Sequence, residues 1–159
     1  MPPPWSGCRS VATARQALGA FGETCVAREC ACPKCKRSGS LVRLPTNFKC
    51  ADIVCDFCGY LAQVKAATVP SVDNLPKTIL GAAWKPQRER MEAAIYFPLF
   101  LVLTDKAMTG HAIYYLSADL QIPDMFRPRK PLSADARRAG WRGFVYDLTA
   151  VKHRFIRLR

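Results

Sequence analysis

Cys32-Pro33-Lys34-Cys35 and, after nineteen intervening residues, Cys55-Asp56-Phe57-Cys58 decide how this chain is read. Two C-x-x-C pairs at this separation match the spacing of a four-cysteine zinc site. A second constellation is threaded through the first. Asp52 lies three residues before Cys55, and Gln63-Val64-Lys65 begins five residues after Cys58. Ala51-Asp52-Ile53-Val54 and Leu61-Ala62-Gln63-Val64-Lys65 both have strand composition. Paired as an antiparallel hairpin, they would make the second cysteine knuckle their turn. Residues i and i+2 of a strand share a face, so Gln63 and Lys65 should project together, opposite the Asp52 strand. An acidic group, an amide oxygen and an ammonium converging on one spot can hold a divalent cation and a water beside a phosphate.

The 159 residues fit one domain, and half of them are hydrophobic. A domain of this size buries roughly 70% of its unfolded surface, enough for a core without disulfides. The 24 Lys and Arg exceed the 12 Asp and Glu, for a net charge of +12. Such an excess points to a polyanion, most often nucleic acid, or serves general solubility. Met1-Pro2-Pro3-Pro4-Trp5 lacks the basic start and apolar run of a signal peptide. The longest apolar run, Ile95 to Leu103, is too short to span a bilayer. The expectation is therefore a cytoplasmic protein with no membrane partner. Its eight cysteines then favour metal ligands and free thiols over disulfides.

Along the chain, residues 1–9 read as a disordered lead, and residues 10–159 as a single zinc-containing domain. Ser10 could cap a helix carrying Val11, Ala14, Leu18 and Phe21, its end weakened by Gly19 and Gly22. Glu23 to Cys30 reads as a second short helix or a turn. Leu41 to Leu44 is a strand stopped by Pro45. After the hairpin comes a polar loop over 68–78. Ile79 to Ala94 reads as a helix kinked or broken at Pro86. Phe97 to Thr104 has the continuous apolar pattern of a buried central strand, with His111 to Leu116 beside it. Residues 123–140 read as a Pro- and Arg-rich loop or short helix. Trp141 to Leu148 and Phe155 to Leu158 are the last strand candidates. The order predicts an α/β sandwich: a mixed sheet flanked by helices.

The Asp52, Gln63, Lys65 spacing resembles the PD-(D/E)XK nuclease arrangement, with Gln in the acidic middle place. A longer resemblance is carried by Arg129-Lys130-Pro131-Leu132 and Ala136-Arg137-Arg138-Ala139-Gly140-Trp141. Together with the two C-x-x-C pairs, the Ala51-Asp52 before the second pair and a lysine seven residues after it, this run is similar to the catalytic domain of the DpnI-type restriction endonuclease family. The likeness begins near residue 10 and covers most of the chain. It implies a PD-(D/E)XK nuclease-like fold with a structural zinc. It also implies Mg²⁺-dependent cleavage of double-stranded DNA and recognition of adenine-methylated GATC. Two departures stand out. The family pattern has Glu where this chain has Gln63, and the C-terminal winged helix of the DpnI-type enzyme is expected to be absent here. Carried over residue by residue, Asp52 would bind Mg²⁺, Gln63 would offer its amide oxygen, and the Val64 carbonyl would complete the protein ligands. Lys65 would orient the attacking water and stabilise charge on the phosphate. Mn²⁺ could substitute for Mg²⁺.

Arg127, Arg129, Lys130, Arg137, Arg138 and Arg142 form a basic run opposed within it only by Asp135. The run suits DNA phosphates or guanine edges, although such runs are often just solvated faces. Trp141 fits either a base contact or core packing at the start of a strand. His111 and His153 read as structural, and a catalytic His beside the knuckles, as an HNH nuclease requires, is missing. Cys8, Cys25, Cys30 and Cys50 fit no ligand pattern, with Cys30 close enough to compete with Cys32. Two further readings remain: a catalytically weakened zinc-dependent DNA-binding module of the same fold, and a zinc-ribbon RNA-binding or protein-interaction factor. The last leaves the Asp52–Lys65 pattern unexplained. The oligomeric state is open, a monomer included.

Overall fold

The computed structural model describes residues 13–48 and 51–159. In chain order it contains α1 (Ala14–Glu29), β1 (Leu41–Arg43), β2 (Ile53–Cys55), β3 (Leu61–Thr68) and β4 (Thr78–Ala83). There follow α2 (Trp84–Glu92), β5 (Leu99–Thr104), β6 (His111–Leu116), β7 (Phe126–Pro128), β8 (Gly143–Asp147) and β9 (Ile156–Arg157). Six strands form a mixed sheet in the order β1-β2-β3-β5-β6-β9, in which β3 and β5 are parallel and the other pairings antiparallel. Three more form an antiparallel sheet, β4-β8-β7.

β5 organises the interior. All six of its residues are buried, which explains why its sequence is continuously apolar instead of alternating. Leu99, Leu101 and Leu103 join one core with Phe144, Tyr146 and Leu148. Phe100 and Val102 face the other side and pack with Val26 and Val64 and with Cys32 and Cys55. The sheet is thus covered on one face by α1 and the knuckle, and on the other by the small sheet. Each such side chain contributes about 1.5–3 kcal/mol on burial.

Several elements differ from the expectation. The first helix runs through Gly19 and Gly22 to Glu29, so the proposed second helix is its continuation. Glycine is needed at position 22: a Cβ there would lie 2.9 Å from Ala66 Cβ. The absent side chain lets α1 lie directly on β3. The cap is Thr13, whose hydroxyl accepts from Gln16 N while Gln16 Oε1 accepts from Thr13 N. This capping box stands where Ser10 was expected; Ser10, Val11, Cys8, the 1–9 lead and Cys50 lie outside the described residues. The helix expected over Ile79 to Ala94 begins only at Trp84, because Thr78 to Ala83 pairs with β8. Pro86 falls in the first turn of α2, where a missing N–H costs no helical bond. Within the 123–140 loop, Phe126–Pro128 forms a short strand. Among the described residues no helix is long and apolar enough to cross a membrane.

Candidate active site and metal centre

Both C-x-x-C pairs close as tight turns. Lys36 N donates to Cys32 O at 2.9 Å, and Gly59 N to Cys55 O at 2.9 Å. Lys36 and Gly59 hold positive φ, 64° and 76°. The β2–β3 hairpin pairs Ile53 with Ala62 and Val54 with Leu61, which makes Cys55 to Tyr60 its turn, as the spacing predicts. The Sγ atoms of Cys32, Cys35, Cys55 and Cys58 all lie within 4.8 Å of one another. Cys32 and Cys58 are separated by 3.6 Å and Cys35 and Cys55 by 3.7 Å. A tetrahedron with Zn–S bonds of ~2.3 Å has edges of ~3.8 Å, so the four sulfurs could hold a zinc ion. Their protons are held unequally. The Ser40 hydroxyl, 3.2 Å from Cys55 Sγ, draws that thiol down to about 6, while burial pushes Cys32 up to about 11.

The knuckle fixes where β2 ends, and β2 fixes Asp52. Gln63 N donates to Pro98 O at 2.8 Å, on the β5 side. Successive strand residues turn their N–H and C=O to opposite edges, so Val64 presents both toward β2. There Asp52 N donates to Ala62 O at 3.0 Å, and Asp52 Oδ2 accepts from Val64 N at 2.7 Å. The carboxylate therefore stands against the β3 backbone, beside the Val64 carbonyl. Val64 packs its side chain beneath α1. Gln63 and Lys65, one residue to either side, turn toward the second sheet.

On that face the Tyr146 hydroxyl donates to Gln63 Oε1 at 3.1 Å. Burial raises the Tyr146 pKa, and the Asp52 charge adds to it. Arg90 of α2 acts in the opposite direction and lines a hollow with Gln63, Lys65 and Tyr146. Lys65 also lines a larger groove of about 630 Å³ with Asp52, Glu23, Arg129 and Trp141. Lys65 is thus shared by both hollows. Sequence reasoning missed Tyr146 and Arg90. An inward aromatic of an alternating strand carries a polar tip that needs a partner, which was the available signal for Tyr146. No such signal marked Arg90, because only the folded arrangement sets α2 beside Gln63, Lys65 and Tyr146.

The basic run is divided. Arg129 and Trp141 reach the groove, and the Arg138 guanidinium lies 4.4 Å from the Trp141 ring centroid. Arg142 Nε donates to Arg129 O at 2.6 Å, tying the two ends of the loop. Leu132 N and Gly140 N close it across Trp141 O and Leu132 O, with Gly140 at φ 76°. Lys130, Arg137 and Arg138 are exposed. Asp135 is the one acidic residue within the run, and from outside it Asp147 Oδ2 sits 2.8 Å from Arg127 Nε.

A family model described as DpnI, the Dam-replacing family, matches residues 9–156. That span takes in α1, the knuckle, the hairpin, both hollows and the basic loop. The chain accordingly belongs to the Dam-replacing, or DpnI, family.

Proposed function

We propose that this chain is a metal-dependent endonuclease that hydrolyses phosphodiester bonds of double-stranded DNA, acting at adenine-methylated GATC. Family membership supports a DpnI-like, restriction-type nuclease and hence a DNA partner. The observation that carries the reading is the Asp52 carboxylate docked on the Val64 N–H between Gln63 and Lys65. The Asp52 carboxylate, the Gln63 amide oxygen and the Val64 carbonyl would supply an all-oxygen donor set suited to Mg²⁺. Bound there, Mg²⁺ would lower the pKa of an attacking water and neutralise charge on the scissile phosphate. Lys65 would hold that water and donate to a phosphate oxygen. Tyr146 would keep the Gln63 amide oxygen aimed into the site. Arg129, Lys130, Arg137, Arg138, Arg142 and Trp141 would seat the duplex along the groove, and Arg127 would join them at the loop's edge. The four-cysteine site would hold a structural zinc that pins the hairpin. Residues 10–159 would act as one nuclease domain in the cytoplasm.

Gln63 favours a second reading. Its neutral amide contributes no charge to metal binding, so the same fold could serve as a zinc-dependent DNA-binding module with little catalysis. Incubation with adenine-methylated and unmethylated plasmid, in Mg²⁺ and in Mn²⁺, separates the two. Cleavage restricted to methylated plasmid is expected. Retention of both plasmids intact, with binding preserved, would establish the binding module instead.

A further inference from the structure

We propose that Cys25, Glu29 and His111 form a second metal site, taking a borderline divalent transition ion such as Zn²⁺ and leaving one coordination position for water. The site is separate from the knuckle and from the Asp52 groove. Cys25 and Glu29 stand four residues apart on α1, so one face of the helix presents both. His111 opens β6, and its Nε2 lies 2.9 Å from Glu29 Oε2. One donor atom from each of the three residues falls within 4.8 Å of the other two.

The donor set selects the ion. A thiolate, a carboxylate and an imidazole together suit Zn²⁺ and its borderline neighbours, whereas Mg²⁺ and Ca²⁺ take oxygen alone. The two anionic ligands balance a divalent charge, with Arg28 and Arg159 nearby. Burial is graded: Cys25 is 7% exposed, while the His111 and Glu29 side chains are 24% and 33% exposed. An ion can therefore enter from the solvent side, and water can fill the fourth position. The surroundings restrain the ligands. The Phe21 ring meets His111 edge-on, at 5.8 Å and 88°. Arg159 Nη2 donates to Glu29 O at 3.0 Å, holding the end of the helix. An ion bridging these residues would tie the C-terminal half of α1 to the sheet at β6.

Elemental analysis of the full chain, equilibrated with Zn²⁺ and passed through a desalting column, tests the site. Two zinc ions per chain are expected for the wild type, and one for Cys25→Ser, Glu29→Gln and His111→Gln. With zinc already in the knuckle, one equivalent of Co²⁺ should give a thiolate-to-cobalt absorption band that Cys25→Ser lacks. Should Cys25→Ser fail to fold, the Glu29 and His111 variants, at half-buried positions, make the same comparison. A wild-type chain that holds a single zinc and shows no cobalt–thiolate band overturns the site and leaves a hydrogen-bonded His–Glu pair beside a thiol. So would variants that each retain two ions.

Discussion

In the proposed site, Gln63 is the residue on which activity would turn. Its amide oxygen already accepts from Tyr146 and retains a second lone pair. Replacing it by a carboxylate of nearly the same shape adds a charge without moving Asp52 or Lys65. Gln63→Glu is therefore expected to raise cleavage at low Mg²⁺, and Mn²⁺ to support the natural chain better than Mg²⁺, which demands near-ideal octahedral geometry and dehydrates reluctantly. Asp52→Ala should abolish cleavage in either metal. It also leaves the Val64 N–H without its 2.7 Å acceptor, so unfolding should be measured in parallel. A buried unsatisfied donor costs about 1–3 kcal/mol, and a larger loss would mean that Asp52 acts chiefly as a scaffold. If neither Gln63→Glu nor the natural chain cuts any DNA, the assignment of these residues fails.

On the proposed function, two elements would have separable jobs, the knuckle and the 127–142 loop. Structural zinc is worth on the order of 10 kcal/mol in apparent binding energy, and here it would close the turn that sets β2 against β3. Cys55→Ala is expected to release zinc, lower the melting temperature and remove cleavage together. Zinc retained at full stoichiometry would exclude Cys55 as a ligand. The loop should act through charge. Arg137 and Arg138 are exposed to solvent, whereas Arg127 is held by Asp147. Replacing Arg137 and Arg138 by Ala should weaken DNA binding and flatten its salt dependence. The expected change is about 0.9 log units per log salt for each phosphate that the loop ceases to neutralise. An unchanged slope would place the loop away from the DNA backbone.

At the scale of the whole molecule, two carboxylates away from the Asp52 groove and the cysteine cluster contribute to acid stability. Hydrogen bonds from Thr109 hold Asp105 below its ordinary 3.8, and those from Thr149 do the same for Asp147. A group depressed on folding stabilises the native state fully above its unfolded value and loses that effect as pH falls through the folded one. The urea midpoint should therefore drop as pH falls below 3.8, and the double variant Asp105→Asn, Asp147→Asn should flatten that acid limb. An acid limb identical to that of the natural chain would assign the loss to other carboxylates.

Local chemistry wrote much of this protein directly into its sequence. Cysteine spacing marked the four-cysteine cluster, alternation placed Gln63 and Lys65 on one face, and the unbroken apolar run announced β5 as central. Each signal needs only neighbours in the chain or the period of a strand. Sequence also carried the family, because the motifs appear in order along one chain. What packing alone decided lies between distant segments. Thr78 to Ala83 became a strand because β8, far along the chain, offered it a partner, and propensity cannot register a partner. The continuation of α1 through two glycines depended on the close approach of Gly22 to Ala66. Tyr146 met Gln63, and His111 met Glu29, only after the sheets and helix had closed. Side chains so far apart in the chain share no period, so only the folded core could bring them within hydrogen-bonding distance.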